Sequence, residues 1–261
     1  MRYLILGCGW VGEFVAKLWL KEGHEVWAST TTDEKYHRLR SDGIFVFTHN
    51  FDKSATLPDD LPIDFDYILV SIPASSKSTI EQLTHRFFHV AQSLSTLTYT
   101  KIIFLSSTGI YPDVSKEIME DTFAENELQE KLLLAEKVIG RFPRTHVFRL
   151  GGLFGLNRIF AKYFANKICT TGGQPANFIH LEDVASIISL GFVTPLTYAT
   201  YNVVCPLHPS KKDVIEASAK KYGFDLPSAF NDSASFQKIV RSARLQNDLN
   251  YTFKYKSPLD F

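Results

Sequence analysis

Leu4-Ile5-Leu6-Gly7-Cys8-Gly9-Trp10-Val11-Gly12 decides how the chain is read. A short apolar run gives way to glycines at positions one, three and six, and helical periodicity follows from Glu13 to Lys21. Strand, tight turn and helix in that order form the cradle that a dinucleotide's pyrophosphate needs. Gly7 makes the turn, Gly9 lets the backbone approach the phosphates, and Gly12 lets the helix pack on the strand. The first-turn amides of Trp10, Val11 and Gly12 then face the anion. Phe14, Val15, Leu18 and Trp19 mark the buried helix face, with Glu13, Lys17 and Lys21 opposite. Gly23 ends the helix, and His24–Ala28 reads as a second strand.

At the tip of that second strand, about 20 residues beyond the first glycine, NAD-binding proteins place an acid on the ribose hydroxyls. Here the tip reads Ala28-Ser29-Thr30-Thr31-Thr32, and Asp33 comes only afterwards. A carboxylate would repel a 2′-phosphate, whereas hydroxyls donate to one. Lys35 and Arg38 follow at helical spacing and supply charge. The pattern tilts the expected cofactor toward NADP and leaves NAD open. The bland alternative is a Ser/Thr helix cap followed by solvated basic residues.

Further strands are expected at Ile44–Phe47, Tyr67–Val70, Lys101–Leu105 and Val147–Leu150, with helices over Ile80–Leu97 and Leu128–Ile139. Six strands alternating with helices predict an α/β fold, a doubly wound parallel sheet covered on both faces. In such sheets ligands lie outside the carboxyl ends of the strands. Ser71-Ile72-Pro73 therefore falls beside the nucleotide. Ser106-Ser107-Thr108-Gly109-Ile110-Tyr111 puts hydroxyls on the same face, where Ser107 or Thr108 can bond a substrate oxygen. His85 and His89 stand one turn apart without a third ligand, so no metal is expected. After Gly155 the rhythm changes: a short helix over Ile159–Ile168, a helix opening at Leu181-Glu182-Asp183, and helices capped by Ser210 and Ser242. The expected division is a dinucleotide-binding domain over 1–155 and a small mixed subdomain over 156–261, some of whose elements return to the sheet.

Lys+Arg and Asp+Glu balance at 28 each, so no global field draws nucleic acid or an anionic membrane. Cys8, Cys169 and Cys205 are scattered and odd in number, which fits a reducing compartment. The apolar run Tyr3–Leu6 is far too short for a signal peptide, and no segment approaches the roughly 20 apolar residues of a bilayer span. The expectation is a cytoplasmic protein with a small-molecule substrate. Nothing fixes its oligomeric state.

Together, the glycine loop, Ser106–Tyr111, Arg149-Leu150-Gly151-Gly152-Leu153-Phe154-Gly155, His180-Leu181-Glu182-Asp183-Val184-Ala185 and Tyr201-Asn202-Val203 resemble the extended and atypical short-chain dehydrogenase/reductase superfamily, of the NAD-dependent epimerase/dehydratase type. Within it the chain is most similar to a YeeZ-like bacterial group. The resemblance implies a Rossmann fold, a nicotinamide cofactor touching Ser106 and Gly152, and a catalytic hydroxyl on Ser107. It also implies a Tyr-x-x-x-Lys pair, and that pair is missing: alignment on the following glutamate puts Leu128 and Leu132 at its positions. Glu127 with Lys131 lies one position out of phase and reads as an i, i+4 surface pair. Leucine cannot transfer a proton. Tyr111 is the nearest substitute general acid, its bland alternative being an aromatic pocket wall. Two functions stay in view: an NAD(P)-dependent oxidoreductase or epimerase-like enzyme, and a dinucleotide-binding redox sensor without turnover.

Overall fold

Tyr3–Leu6, Tyr67–Val70 and Ile102–Phe104 are apolar and buried throughout, the composition of strands covered on both faces. A computed structural model describes residues 1–74 and 77–261. Its elements run β1 (Arg2–Leu6), α1 (Trp10–Lys21), β2 (Glu25–Thr30), α2 (Asp33–Ser41), β3 (Phe45–Thr48), β4 (Asp64–Val70), α3 (Ile80–Ser95), β5 (Thr98–Ser107) and β6 (Glu117–Ile118). There follow α4 (Glu130–Ile139), β7 (Thr145–Leu150), β8 (Gly152–Phe154), β9 (Ile168–Cys169), β10 (Phe178–His180), α5 (Leu181–Val193) and β11 (Thr200–Val203). The chain closes with α6 (Lys211–Tyr222), β12 (Ala229–Phe230), β13 (Ile239–Val240) and α7 (Ala243–Leu249).

Seven strands, one more than the six counted from the sequence, form the main sheet in the order β11-β7-β5-β4-β1-β2-β3. Neighbours from β3 through β5 pair in parallel, with Leu4 opposite both Trp27 and Ile68. The order reverses at β1, so a crevice opens at the carboxyl ends of β1 and β4. Strand alternation sends Leu4, Leu6, Ile68, Val70, Ile102 and Phe104 to one face, against Leu83, Phe87, Val90 and Leu94 of α3 and Ala135 and Ile139 of α4. Tyr3 and Tyr67 point to the other face. There Tyr3 stacks on Trp19 of α1 at 4.1 Å between centroids, and Tyr67 on Phe192 of α5 at 4.8 Å. The buried Trp19 indole N–H donates to Ser189 Oγ at 2.8 Å, which satisfies its one polar atom.

The chain divides into two compact units. The first comprises Met1–Ser106, Gln129–Phe148 and Ile188–Thr200; the second comprises Ser107–Leu128, Arg149–Ile187 and Tyr201–Phe261. Where the sequence reading makes one cut after Gly155, the units interleave, because Ile188–Thr200 carries Ser189 and Phe192 into the aromatic stack of the first. In the second unit, the fully buried Asp183 accepts from Tyr251 Oη at 2.7 Å, Lys254 N at 2.8 Å and Tyr255 N at 3.0 Å, which anchors the closing segment.

Ser210 caps α6 as expected, in a reciprocal box with Asp213. Ser242 does not cap by its side chain; the hydroxyl donates to Val204 O at 3.0 Å instead. The helix expected over Ile159–Ile168 shrinks to one 3₁₀ turn, Ala161–Tyr163, since Asn166 adopts φ 61° and breaks the right-handed path. Among the described residues no helix is long and apolar enough to cross a membrane.

Candidate functional site

The three loop glycines meet different surroundings. Gly7 has φ 85°, and a Cβ there would lie 2.9 Å from Ile72 Cγ1, so both turn and packing demand glycine. At Gly12 a Cβ would press on Ile5 Cγ2 at 3.1 Å, where α1 crosses β1. At Gly9 it would meet nothing nearer than Gly7 O at 3.9 Å. The fold therefore does not need glycine at position 9. Gly9 also begins α1 without a side-chain cap, so the helix presents its N-terminal partial positive charge to this opening.

Gly7 and Gly9 line a cleft of about 380 Å³, within the first unit, with Ser29–Thr32, His49–Asp52 and Ser71–Pro73. These are the segments leaving β1, β2, β3 and β4. The sequence thus brings Gly7, Gly9, Ser29, Thr30, Thr31, Ser71, Ile72 and Pro73 together. Trp10, Val11 and Gly12 occupy the first turn of α1, where Val11 and Gly12 are buried. Ser29 serves the loop: it is 1% exposed, and its Oγ accepts from Gly7 N at 2.8 Å while its carbonyl accepts from Cys8 N at 2.9 Å. Burial pushes the neighbouring Cys8 thiol up to about 12, so no reactive thiolate sits in the loop.

Charge at the cleft mouth is set around Glu13. Burial pushes its carboxyl up, but Arg38 and Lys17 outweigh that and hold it below the usual range. Arg38 engages Glu13 through both terminal nitrogens, Lys17 stands 3.1 Å away and Lys35 3.9 Å away. Lys17 also reaches Asp42 at 3.0 Å. Three cations thus meet two acids, and Lys35, which lines the cleft beside Thr30–Thr32, carries the surplus. Arg38, expected to share this task, is taken by Glu13.

His49, Asn50, Phe51, Asp52 and Arg86 also line the cleft, and no motif marked them. Arg86 of α3 clamps Asp52 through Nε at 2.6 Å and Nη2 at 2.9 Å, and donates Nη1 to Pro73 O at 3.0 Å. The carboxyl-end rule, applied to β3, would have found His49–Asp52. Arg86 is 34 residues from its partner and has no local signal. Among the described residues no three His, Cys, Asp or Glu side chains converge on a metal site. His89 Nδ1 instead engages Phe51 O at 2.7 Å.

Three further expected residues have structural partners of their own. Ser106 is buried and donates to Glu136 Oε1 at 2.6 Å, a structural bond. Gly152 belongs to the second unit, where a Cβ would fall 2.4 Å from Phe178 Cδ1; its glycine makes room for that ring. Tyr111, also in the second unit, is 2% exposed. Its hydroxyl donates to Asn202 Oδ1 at 2.7 Å and accepts from Arg149 Nη1 at 2.8 Å. Burial raises its pKa further. A phenol committed on both sides and disfavoured as an anion is a poor general acid–base, so the catalytic role expected for Tyr111 does not fit its surroundings.

Ser107 precedes a 3₁₀ turn in the second unit. Its Oγ accepts from Gly109 N at 3.0 Å and caps the 3₁₀ turn Thr108–Ile110, which leaves its own O–H to donate. Leu128 is extended (φ −83°, ψ 154°) and precedes α4, so Leu128 and Leu132 are not successive turns of one helix. Glu127 and Lys131 likewise form no helical pair: Glu127 accepts from Ala124 N at 2.9 Å, and Lys131 donates to Ser78 O at 2.6 Å.

Residues 3–132 match the model of the NAD dependent epimerase/dehydratase family. Over 271 aligned positions the chain is 29% identical to Protein YeeZ of Escherichia coli K12, a match that covers 99% of this chain and 97% of YeeZ. It is similar in structure to UDP-glucuronic acid 4-epimerase of Bacillus cereus, solved with UDP-glucuronic acid and NAD (TM-score 0.77, 17% identity, 100% of this chain and 96% of that one). It is also similar to the human epimerase family protein SDR39U1, isoform 2, solved with NADPH (TM-score 0.75, 17% identity, 100% and 97%). At such identities the two structures show the shared fold.

Proposed function

The chain belongs to the NAD dependent epimerase/dehydratase family, and on that premise we propose that its first unit binds a nicotinamide dinucleotide in the service of oxidoreductase or epimerase-type chemistry on a small molecule. The observation that carries this reading is the open space over Gly9 at the uncapped start of α1, beside two glycines that packing requires. The cofactors solved with the Bacillus and human proteins support the same class. In this reading the first-turn amides of Trp10, Val11 and Gly12 hold the phosphates, the Gly9 N–H being taken by Gly7 O. Thr30, Thr31, Thr32 and Lys35 receive the adenosine ribose and favour NADP over NAD, because Lys35 brings positive charge and the strand tip has no carboxylate. Ser71–Pro73 line the wall beyond β4. When bound, the nicotinamide supplies the hydride acceptor or donor. Ser107 donates a hydrogen bond from its hydroxyl to a substrate carbonyl or hydroxyl, which polarises and orients it.

A second reading, a dinucleotide-binding sensor without turnover, draws support from the sequence alignment that sets Leu128 and Leu132 where the family has its acid–base pair, and from the committed hydroxyl of Tyr111. Titration of NADPH and of NADH, followed by Trp emission and melting temperature, tests the binding claim; Trp10 at the start of α1 is the natural reporter. Ser107→Ala assayed beside wild type on carbonyl and nucleotide-sugar substrates separates the two functions. Turnover lost in the variant supports the enzyme, whereas equal and negligible turnover in both supports the sensor.

A further inference from the structure

A separate cleft of about 490 Å³ lies wholly within the second unit, in the size range of small-molecule sites. Three charged side chains line it: Asp113, Lys211 and Lys238. Lys238 is fully committed. Its ammonium, with the side chain 13% exposed, donates to Asp113 Oδ1 at 2.7 Å, Tyr111 O at 3.3 Å and Pro112 O at 3.4 Å. Three donors meet three acceptors, and one carboxylate neutralises one charge.

Lys211 differs. At the first position of α6 its ammonium donates to Gln174 Oε1, a neutral acceptor. Gln174 is 5% exposed and donates its Nε2 to Ala234 O at 2.9 Å, which turns Oε1 toward the lysine. Burial holds Lys211 below the usual lysine range, Lys238 adds like-charge repulsion, and Cys169 and Asp113 oppose them. Two ammoniums and one carboxylate leave one positive charge in the cleft, on a group with donors to spare. A half-buried ammonium hydrogen-bonded to a neutral acceptor keeps donors that an anion can take in a charge-assisted bond. Phe178 and Phe236 supply apolar wall.

We propose that this cleft binds a small organic monocarboxylate, its carboxylate on the Lys211 ammonium and its apolar or aromatic body against Phe178 and Phe236. One uncompensated charge suits one negative charge. A diphosphate would press extra negative charge on Asp113, and no arginine among the lining residues offers it a bidentate fork. The site is complete within the second unit, so the proposal stands whether or not the first unit holds a dinucleotide.

Calorimetric titration of the full chain with phenylacetate, phenylacetamide, inorganic phosphate and UDP tests it. Phenylacetate is expected to bind with a Kd of about 1 mM or tighter. Phenylacetamide, the neutral isostere, should bind roughly ten- to a hundredfold more weakly, the span of one charge-assisted hydrogen bond. Lys211→Met should lose phenylacetate binding by a similar factor, and Lys211→Arg should keep part of it. The comparison of the two ligands on wild-type protein needs no variant to fold. No heat with phenylacetate, equal binding of phenylacetamide, tighter binding of phosphate or UDP, or a folded Lys211→Met that binds like wild type would each overturn the proposal.

Discussion

The glycine loop allows one comparison in which folding and ligand binding respond to different residues. Alanine at position 7 must adopt φ 85°, which costs about 1–2 kcal/mol. Its methyl must also fit 2.9 Å from Ile72 Cγ1 and 3.1 Å from Ile72 N, an overpacking worth about 1–3 kcal/mol. The sum, about 2–5 kcal/mol, corresponds to a melting temperature lower by roughly 4–10 °C for a chain of this size. Alanine at position 9 meets the opposite situation. The backbone there has φ −79° and ψ −154°, which any residue adopts, and the methyl finds no atom nearer than 3.9 Å. The loss of unfolded-state freedom favours the folded variant by about 0.4–1 kcal/mol. That methyl occupies the space assigned to the phosphates, however, so NADPH affinity should fall by roughly tenfold or more. Scanning calorimetry and NADPH titration on the same two preparations give the answer. A Gly9→Ala protein that melts like Gly7→Ala, or binds NADPH like wild type, would refute this assignment of roles.

Three further outcomes are expected. Tyr111→Phe removes the buried bonds to Arg149 and Asn202 and should cost about 1–3 kcal/mol in chemical denaturation without reducing turnover per folded molecule; lost turnover at unchanged stability would return Tyr111 to the chemistry. Ser106→Ala removes the bond to the buried Glu136 and should destabilise by a similar amount with NADPH affinity unchanged, whereas weakened affinity at wild-type stability would place Ser106 in the cleft. Burial holds the Glu120 carboxyl above its ordinary value, against the opposing Asn202 amide, Arg244 and Arg149, and its Oε2, 3.5 Å from Arg244 Nε, has no hydrogen-bond partner among the described residues. The folded state then binds that proton more tightly than the unfolded state, so the associated stability is complete below the ordinary carboxylate pKa and is lost as pH rises through the folded value. Glu120→Gln should therefore gain in melting temperature over wild type as pH rises above about 4; a difference that does not change with pH would contradict this.

Local patterns carried most of the fold because its strands are short apolar runs and its helices are amphipathic, features that neighbouring residues alone determine. The roles of Gly7 and Gly12 were legible for the same reason: turn and helix crossing lie within one βαβ unit. What escaped is non-local. Asp52 and Arg86 meet across 34 residues, and Tyr111 reads as a free phenol until Asn202, 91 residues on, and Arg149 close over it. The helix expected at Ile159–Ile168 had the right apolar spacing, but the backbone turns left-handed at Asn166. Apolar spacing opens the helix expected over Leu128–Ile139 at Leu128, whereas Leu128 is extended and Gln129 caps α4 one residue later.

Calorimetric titration of wild-type protein with NADPH tests the dinucleotide cleft most directly. One site per chain is expected, with NADPH tighter than NADH and the affinity reduced in Gly9→Ala. Neither heat nor a shift in melting temperature with millimolar NADPH or NADH would contradict the account.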